Sequence, residues 1–146
     1  MRKDYFLITV FVFVSAVSFS QKAEIFSPDG VALKGYDVVA FFTEHMPVKG
    51  YDSLKLERNK TLWYFSSQQN LDSFKADTVK YIPQYGGYCA FGASRGYKAP
   101  TEVDTWTILD NKLYFNYNQA VKQTWDKEPK VYIKLADEKW PSFKLK

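Results

Sequence analysis

The stretch Leu62-Trp63-Tyr64-Phe65-Ser66-Ser67-Gln68-Gln69-Asn70-Leu71-Asp72-Ser73-Phe74 changes its period midway. Leu62 to Phe65 is an apolar, aromatic run of strand-forming type. It follows an Asn59-Lys60 turn and an alternating segment, Leu54 to Glu57, so together they read as a β-hairpin. Ser66 or Ser67 then caps a short helix in which Leu71 and Phe74 share a face, and the helix fades near Asp77 to Tyr81.

The same order of signals returns downstream. Trp106 to Leu109 alternates, Asp110-Asn111 turns, Leu113 to Phe115 is apolar, Asn118 caps, and Val121 and Trp125 share a helix face. Tyr64-Phe65 corresponds to Tyr114-Phe115, Gly35-Tyr36 to Gly87-Tyr88, and Ala40-Phe41 to Ala90-Phe91, which gives repeat units 35–82 and 87–133. One hairpin and one short helix cannot cover each other's apolar faces, so two units are expected to share a core. Pro129 then opens a helix with the apolar stripe Tyr132, Ile133, Ala136 and Trp140, ended by Pro141. Before the units, Gln21 to Lys34 carries the turn Ser27-Pro28-Asp29-Gly30 and reads as an N-terminal arm. The expected fold is α+β: a compact single domain over residues 35–141, built of two similar β-hairpin-plus-helix units with a C-terminal helix.

Arg2 and Lys3 precede an apolar run, Tyr5 to Val17, which ends in Ser18-Phe19-Ser20. That is the pattern of a signal peptide over residues 1–20, cleaved before Gln21, and it directs the protein to the periplasm or outside the cell. No later stretch is long and apolar enough to span a bilayer. Aromatic residues make up 18% of the chain, too many for a disordered tail, and Cys89 is the single cysteine, which excludes a disulfide scaffold. Lys plus Arg number 20 against 16 acids, with seven lysines and four acids in residues 122–146. After the leader only Arg58 and Arg95 are arginine, so this basic helix does not read as a nucleic-acid binder; a partner protein is the alternative it leaves open.

The segment Trp63-Tyr64-Phe65-Ser66-Ser67, with Asn70, Phe74 and Tyr81 following, resembles the YHS domain, whose core runs Tyr-x-Phe-Cys-Ser and then Cys, Phe and Tyr. Outside it, Gly35 to Phe42, Gln84 to Ala90, Leu113 to Asn118 and Ala136 to Pro141 are similar to the longer exported YHS-domain proteins of bacteria. The resemblance implies the fold and a small-ligand or partner-binding role. In metal-handling YHS domains, cysteines in the lead-in segment and at the start of the helix are the expected ligands. Ser66 and Asn70 stand at the two helix-start positions here, and Ala40 or a neighbour at the lead-in one. Hydroxyl and amide groups are poor ligands for zinc or copper(I).

Chemistry left to the chain centres on Tyr85-Gly86-Gly87-Tyr88-Cys89. Glycine-flanked backbone admits a ligand closely, and a thiol there is a soft donor. His45, the single histidine, would complete a nitrogen and sulfur donor set with Cys89 for a copper ion if the fold brought them together, and a zinc ion would need Asp37 or another carboxylate in the remaining positions. Tyr81, Tyr85, Tyr88, Tyr97, Tyr114, Tyr117 and Trp106 are candidates to line an aromatic pocket. No Gly-Lys-Ser/Thr follows the glycines and no Gly-x-Ser-x-Gly surrounds a serine, which removes the phosphate-cradle and hydrolase-elbow readings. The expected function is an exported, non-catalytic binding module for a small ligand or metal ion. The alternatives are a thiol- or metal-dependent enzyme using Cys89 and His45, and a protein-interaction module.

Overall fold

Both hairpins hang on their turns. The structure, a computed structural model, describes residues 22–146; the signal peptide expected over residues 1–20 lies outside the described residues. Asn59 (φ 55°) and Lys60 (φ 57°) are left-handed, as are Asp110 (φ 49°) and Asn111 (φ 63°). Two successive left-handed residues make the type I′ turn whose twist matches paired strands, and Asn and Asp enter that region at least cost among residues with a β-carbon. The first turn joins β1 (Tyr51–Arg58) to β2 (Thr61–Phe65); the second joins β3 (Thr107–Leu109) to β4 (Lys112–Tyr114). Each antiparallel pair is a sheet of its own. β1 starts earlier than its alternating part because an irregularity in register between Tyr51 and Lys55 lets pairing resume.

Helices α1 (Ala40–Thr43), α2 (Gln68–Ala76), α3 (Thr78–Tyr81), α4 (Ala90–Arg95), α5 (Gln119–Trp125) and α6 (Pro129–Phe143) pack around the hairpins. Ser67 caps α2 by accepting the Asn70 N–H at 3.1 Å, and Asn118 caps α5 by accepting the Val121 N–H at 2.9 Å. Where the sequence suggested fading, Asp77 accepts the Lys80 N–H and starts α3. α6 does not stop at Pro141. Proline there removes only the N–H that would meet the Asp137 carbonyl on an exposed part of the helix, and the Lys144 N–H still bonds the Trp140 carbonyl at 2.9 Å. No helix among the described residues is long and apolar enough to cross a membrane.

Trp63 and Phe65 face inward from β2 and meet Phe74 of α2 with centroids 5.1 and 5.2 Å apart. Phe41 of α1 crosses to the second unit and meets Phe115 edge-on at 5.2 Å, so the main core is shared. A smaller core joins Tyr85, Tyr114 and Trp125 to the small-residue contact between α4 and α6, where Ala90, Ala93 and Ala136 are fully buried. Trp140 packs against both cores.

The N-terminal arm is built into this body. The Phe26 N–H donates to the Gly86 carbonyl at 2.8 Å, and the Tyr88 hydroxyl donates to the Ala23 carbonyl at 2.8 Å. A β-carbon on Gly86 (φ +63°) would sit 1.8 Å from the Glu24 carbonyl oxygen, so only glycine lets the arm lie this close. Buried Lys98 closes the arrangement: its ammonium donates to the carbonyls of Lys22 (2.8 Å), Ala23 (3.0 Å), Lys144 (2.6 Å) and Lys146 (3.2 Å), near the faces of Tyr88 and Trp140. Burial pushes this ammonium below the ordinary lysine value, against the pull of Glu24 and with the help of Lys22. Gly86→Ala is expected to lower stability by about 2–4 kcal/mol by forcing the arm outward. Denaturant unfolding, with limited proteolysis showing earlier cleavage in residues 22–30, checks it.

Candidate functional site

Each unit holds one acidic side chain at the same place in its backbone. Asp37 follows the turn Ala32–Gly35, and its N–H donates to the Val48 carbonyl at 2.8 Å; Cys89 follows the turn Gln84–Gly87, and its N–H donates to the Ala99 carbonyl at 3.0 Å. Gly35 and Gly87 correspond too, their carbonyls accepting from the Gly50 N–H (2.9 Å) and the Thr101 hydroxyl (2.8 Å). Hydrogen bonding therefore pairs Asp37 with Cys89 and moves the expected pairing of Ala40 with Ala90 by two residues. The lead-in position of the first unit is Asp37, a neighbour of Ala40.

Around Asp37 the backbone forms a nest of N–H groups. Oδ1 accepts from the N–H of Val39 (2.9 Å) and Ala40 (3.3 Å), and Oδ2 from the N–H of Ser66 (2.8 Å). Two side chains complete the knot: the Ser66 hydroxyl donates to Oδ2 at 2.7 Å and the Asn70 amide at 2.8 Å. Asp37 is fully buried, so these five donors replace the water it has lost.

In the second unit the Gly92 N–H points at the Cys89 sulfur as the Ala40 N–H points at Asp37, and it and the neighbouring N–H groups of Tyr117 and Phe91 favour the thiolate. Burial outweighs them and pushes the thiol above its ordinary value. The Gly92 N–H lies 3.4 Å from the sulfur, and the thiol donates to Asn116 Oδ1 at 3.6 Å, an oxygen that also accepts the Phe91 N–H. Asn116 is fully buried, and its Nδ2 meets no acceptor among the described residues.

What differs between the units is the closing pair. Tyr117 offers its N–H as Ser66 does, and Val121 stands three residues after its helix cap as Asn70 does. Val121 has no polar side-chain atom, and the Cys89 sulfur bonds Asn116 and the Gly92 N–H rather than the Tyr117 hydroxyl. Instead Tyr117 and Val121 line a pocket of about 260 Å³ with Cys89, Phe91, Tyr97 and Ala99. Tyr97 and Tyr117 are half exposed at its walls.

Of the residues singled out in the sequence, Cys89 lies in this pocket and His45 does not; His45 is exposed just after α1, at φ 55°. Among the described residues no group of three or more His, Cys, Asp or Glu side chains is placed to hold a metal ion. Tyr85, Gly86, Gly87 and Tyr88 are buried. Gly86 and Tyr88 bond the arm, while the Tyr85 hydroxyl donates to Asp137 at 2.9 Å, and burial first and that carboxylate second hold its phenol far above its usual range. Tyr114 is pushed up to about 12 by burial, with Asp137 and Asp110 adding to it. Of the seven aromatic residues expected to form a pocket, Tyr97 and Tyr117 line the one at Cys89; Tyr85, Tyr88 and Tyr114 are largely buried and each lines a separate surface cavity, Tyr81 is buried, and Trp106 packs half-buried against the main core. Phe91, Val121 and Asn116 were missed; Asp37 was named only as a carboxylate for a zinc site, not as the centre of a hydrogen-bonded knot. The available signal for Asp37 was its place two residues after Gly35, matching Cys89 two residues after Gly87.

Residues 39–85, most of the first unit, match the family model described as YHS domain. No curated protein and no solved structure matches the chain.

Because the folded state holds the Cys89 proton more tightly than the unfolded chain does, the thiol's contribution to stability is intact below the ordinary thiol value and is lost as pH rises through the raised one. Alkylation of the native protein is expected to be slow at neutral pH and to rise only above the pH at which free cysteine is already reactive. Rate measurements against pH, with unfolded protein as the reference, check this.

Proposed function

From the premise that the chain carries a YHS domain at residues 39–85, we propose that the protein is an exported, non-catalytic module that binds a small uncharged ligand in the Cys89 pocket of its second unit. The observation that supports the reading is the pair of replacements, Tyr117 and Val121, which open in the second unit the place that Ser66 and Asn70 close in the first. An apolar cavity of roughly 150 Å³ accepts benzene, so about 260 Å³ suits a one- or two-ring group. The lining contains no carboxylate, imidazole or ammonium, so a charged ligand would leave water without compensation. The thiol has no base beside it in that lining, which argues against the enzyme reading built on Cys89 and His45. Export rests on the leader pattern of residues 1–20.

Phenol and indole serve as probes. Binding is expected to shift the ring resonances of Tyr97 and Tyr117 and to protect Cys89 from a thiol reagent. Val121→Trp, at a half-exposed position, is expected to fill the pocket and abolish both effects while the protein stays folded. Absence of any probe effect on native protein at millimolar concentration, or equal binding by the Trp variant, would overturn the reading. In the export arm, N-terminal sequencing of the protein recovered outside the cytoplasm should start at Gln21; a retained Met1 would sink that part alone.

A further inference from the structure

We propose that the Asp37 knot is a metal-independent cross-link standing where a YHS domain of the metal-handling kind would keep its ion. A metal ion is implied by such relatives, and the fit is decided by the atoms that face each other. Ser66 and Asn70 occupy the two helix-start positions, and Asp37 holds the lead-in position. All three sets of atoms are committed to one another. A carboxylate has about four lone-pair sites, and Asp37 receives five donors at 2.7 to 3.3 Å, two on Oδ1 and three on Oδ2. The Ser66 hydroxyl gives its proton to Oδ2, and the Asn70 amide, 3.4 Å away, faces the remaining side of the oxygen. Asn70 directs its NH₂ rather than its carbonyl oxygen inward.

A cation placed here would face hydrogens, and freeing a lone pair for it would leave donors packed around a fully buried carboxylate without their acceptor. The residues therefore do not fit a metal ion. They fit the task a structural ion performs, since one side chain binds the segment before α1, the end of β2 and the first turn of α2 together. In a metal site that joining depends on loading; here it is supplied by the chain itself.

The test is thermal unfolding of the full chain after exhaustive dialysis against a chelator, repeated with zinc(II) and copper(I), with metal content measured in parallel. The midpoint is expected to be the same in all three conditions. Ser66→Ala is expected to lower it by roughly 5 °C and Asp37→Asn by roughly 10 °C, with bound metal unchanged from the parent. A midpoint that falls on chelation and returns with zinc(II) or copper(I), or stoichiometric metal that is lost in Ser66→Ala, would overturn the proposal. So would a Ser66→Ala protein as stable as the parent. Should Asp37→Asn fail to fold, the chelation result and Ser66→Ala still decide.

Discussion

A single buried carboxylate holds the first half of this protein in register. Asp37 has lost all contact with solvent, and an acid in that position is tolerable only if its surroundings point donors at it from several directions. Those donors come from two stretches distant in sequence, the start of α1 and the junction of β2 with α2, so the carboxylate's demand fixes the approach of α1 to that junction. The positioning of Phe41 follows, because α1 starts at the nest. From there Phe41 reaches Phe115, and the two units acquire a common core.

The second half uses the same backbone nest with weaker chemistry. Sulfur accepts hydrogen bonds poorly, and a protonated thiol needs fewer partners than a carboxylate does. A cysteine at the nest therefore tolerates neighbours that do not bond to it, and Tyr117 and Val121 turn their surfaces to a pocket without leaving a buried charge exposed to apolar groups. The two sites show how one main-chain arrangement is used twice. With an oxyanion and polar closers it becomes a structural knot, and with a thiol and apolar neighbours it leaves usable space.

The hairpins, the caps of α2 and α5, and the α+β arrangement were legible in the sequence because each rests on local signals: Asn59-Lys60 and Asp110-Asn111 at the turns, Ser67 and Asn118 at the caps. The site was legible only in part. Cys89 stood out as a rare residue, but the identity of its neighbours depends on how Ala99, Tyr117 and Val121 return to it across the fold, and no periodicity encodes that. The tyrosines do not share one pocket, since Tyr85, Tyr88 and Tyr97 are alike in composition but line different cavities and differ in what covers them. Gly86 was read as room for a ligand, and the room is taken by the chain's own Glu24 backbone. A helix across Ala90 to Arg95 escaped notice because its six residues include Gly92 and Ser94, weak helix formers held by packing against α6.

Lys98 has a topological consequence. By gathering carbonyls of residues 22, 23, 144 and 146 on one ammonium, it brings the two extremities of the folded body to within a few ångströms of each other. The path of the backbone is thus nearly a closed loop, and the place at which it is cut is not dictated by the packing of either unit. A short bridge of flexible residues from Lys146 to Lys22 would close the ring, and the exposed turn at Asn59-Lys60 offers a new opening far from the Cys89 pocket in sequence. The protein is in that respect a natural frame for circular permutation or for insertion between two domains of a larger chain.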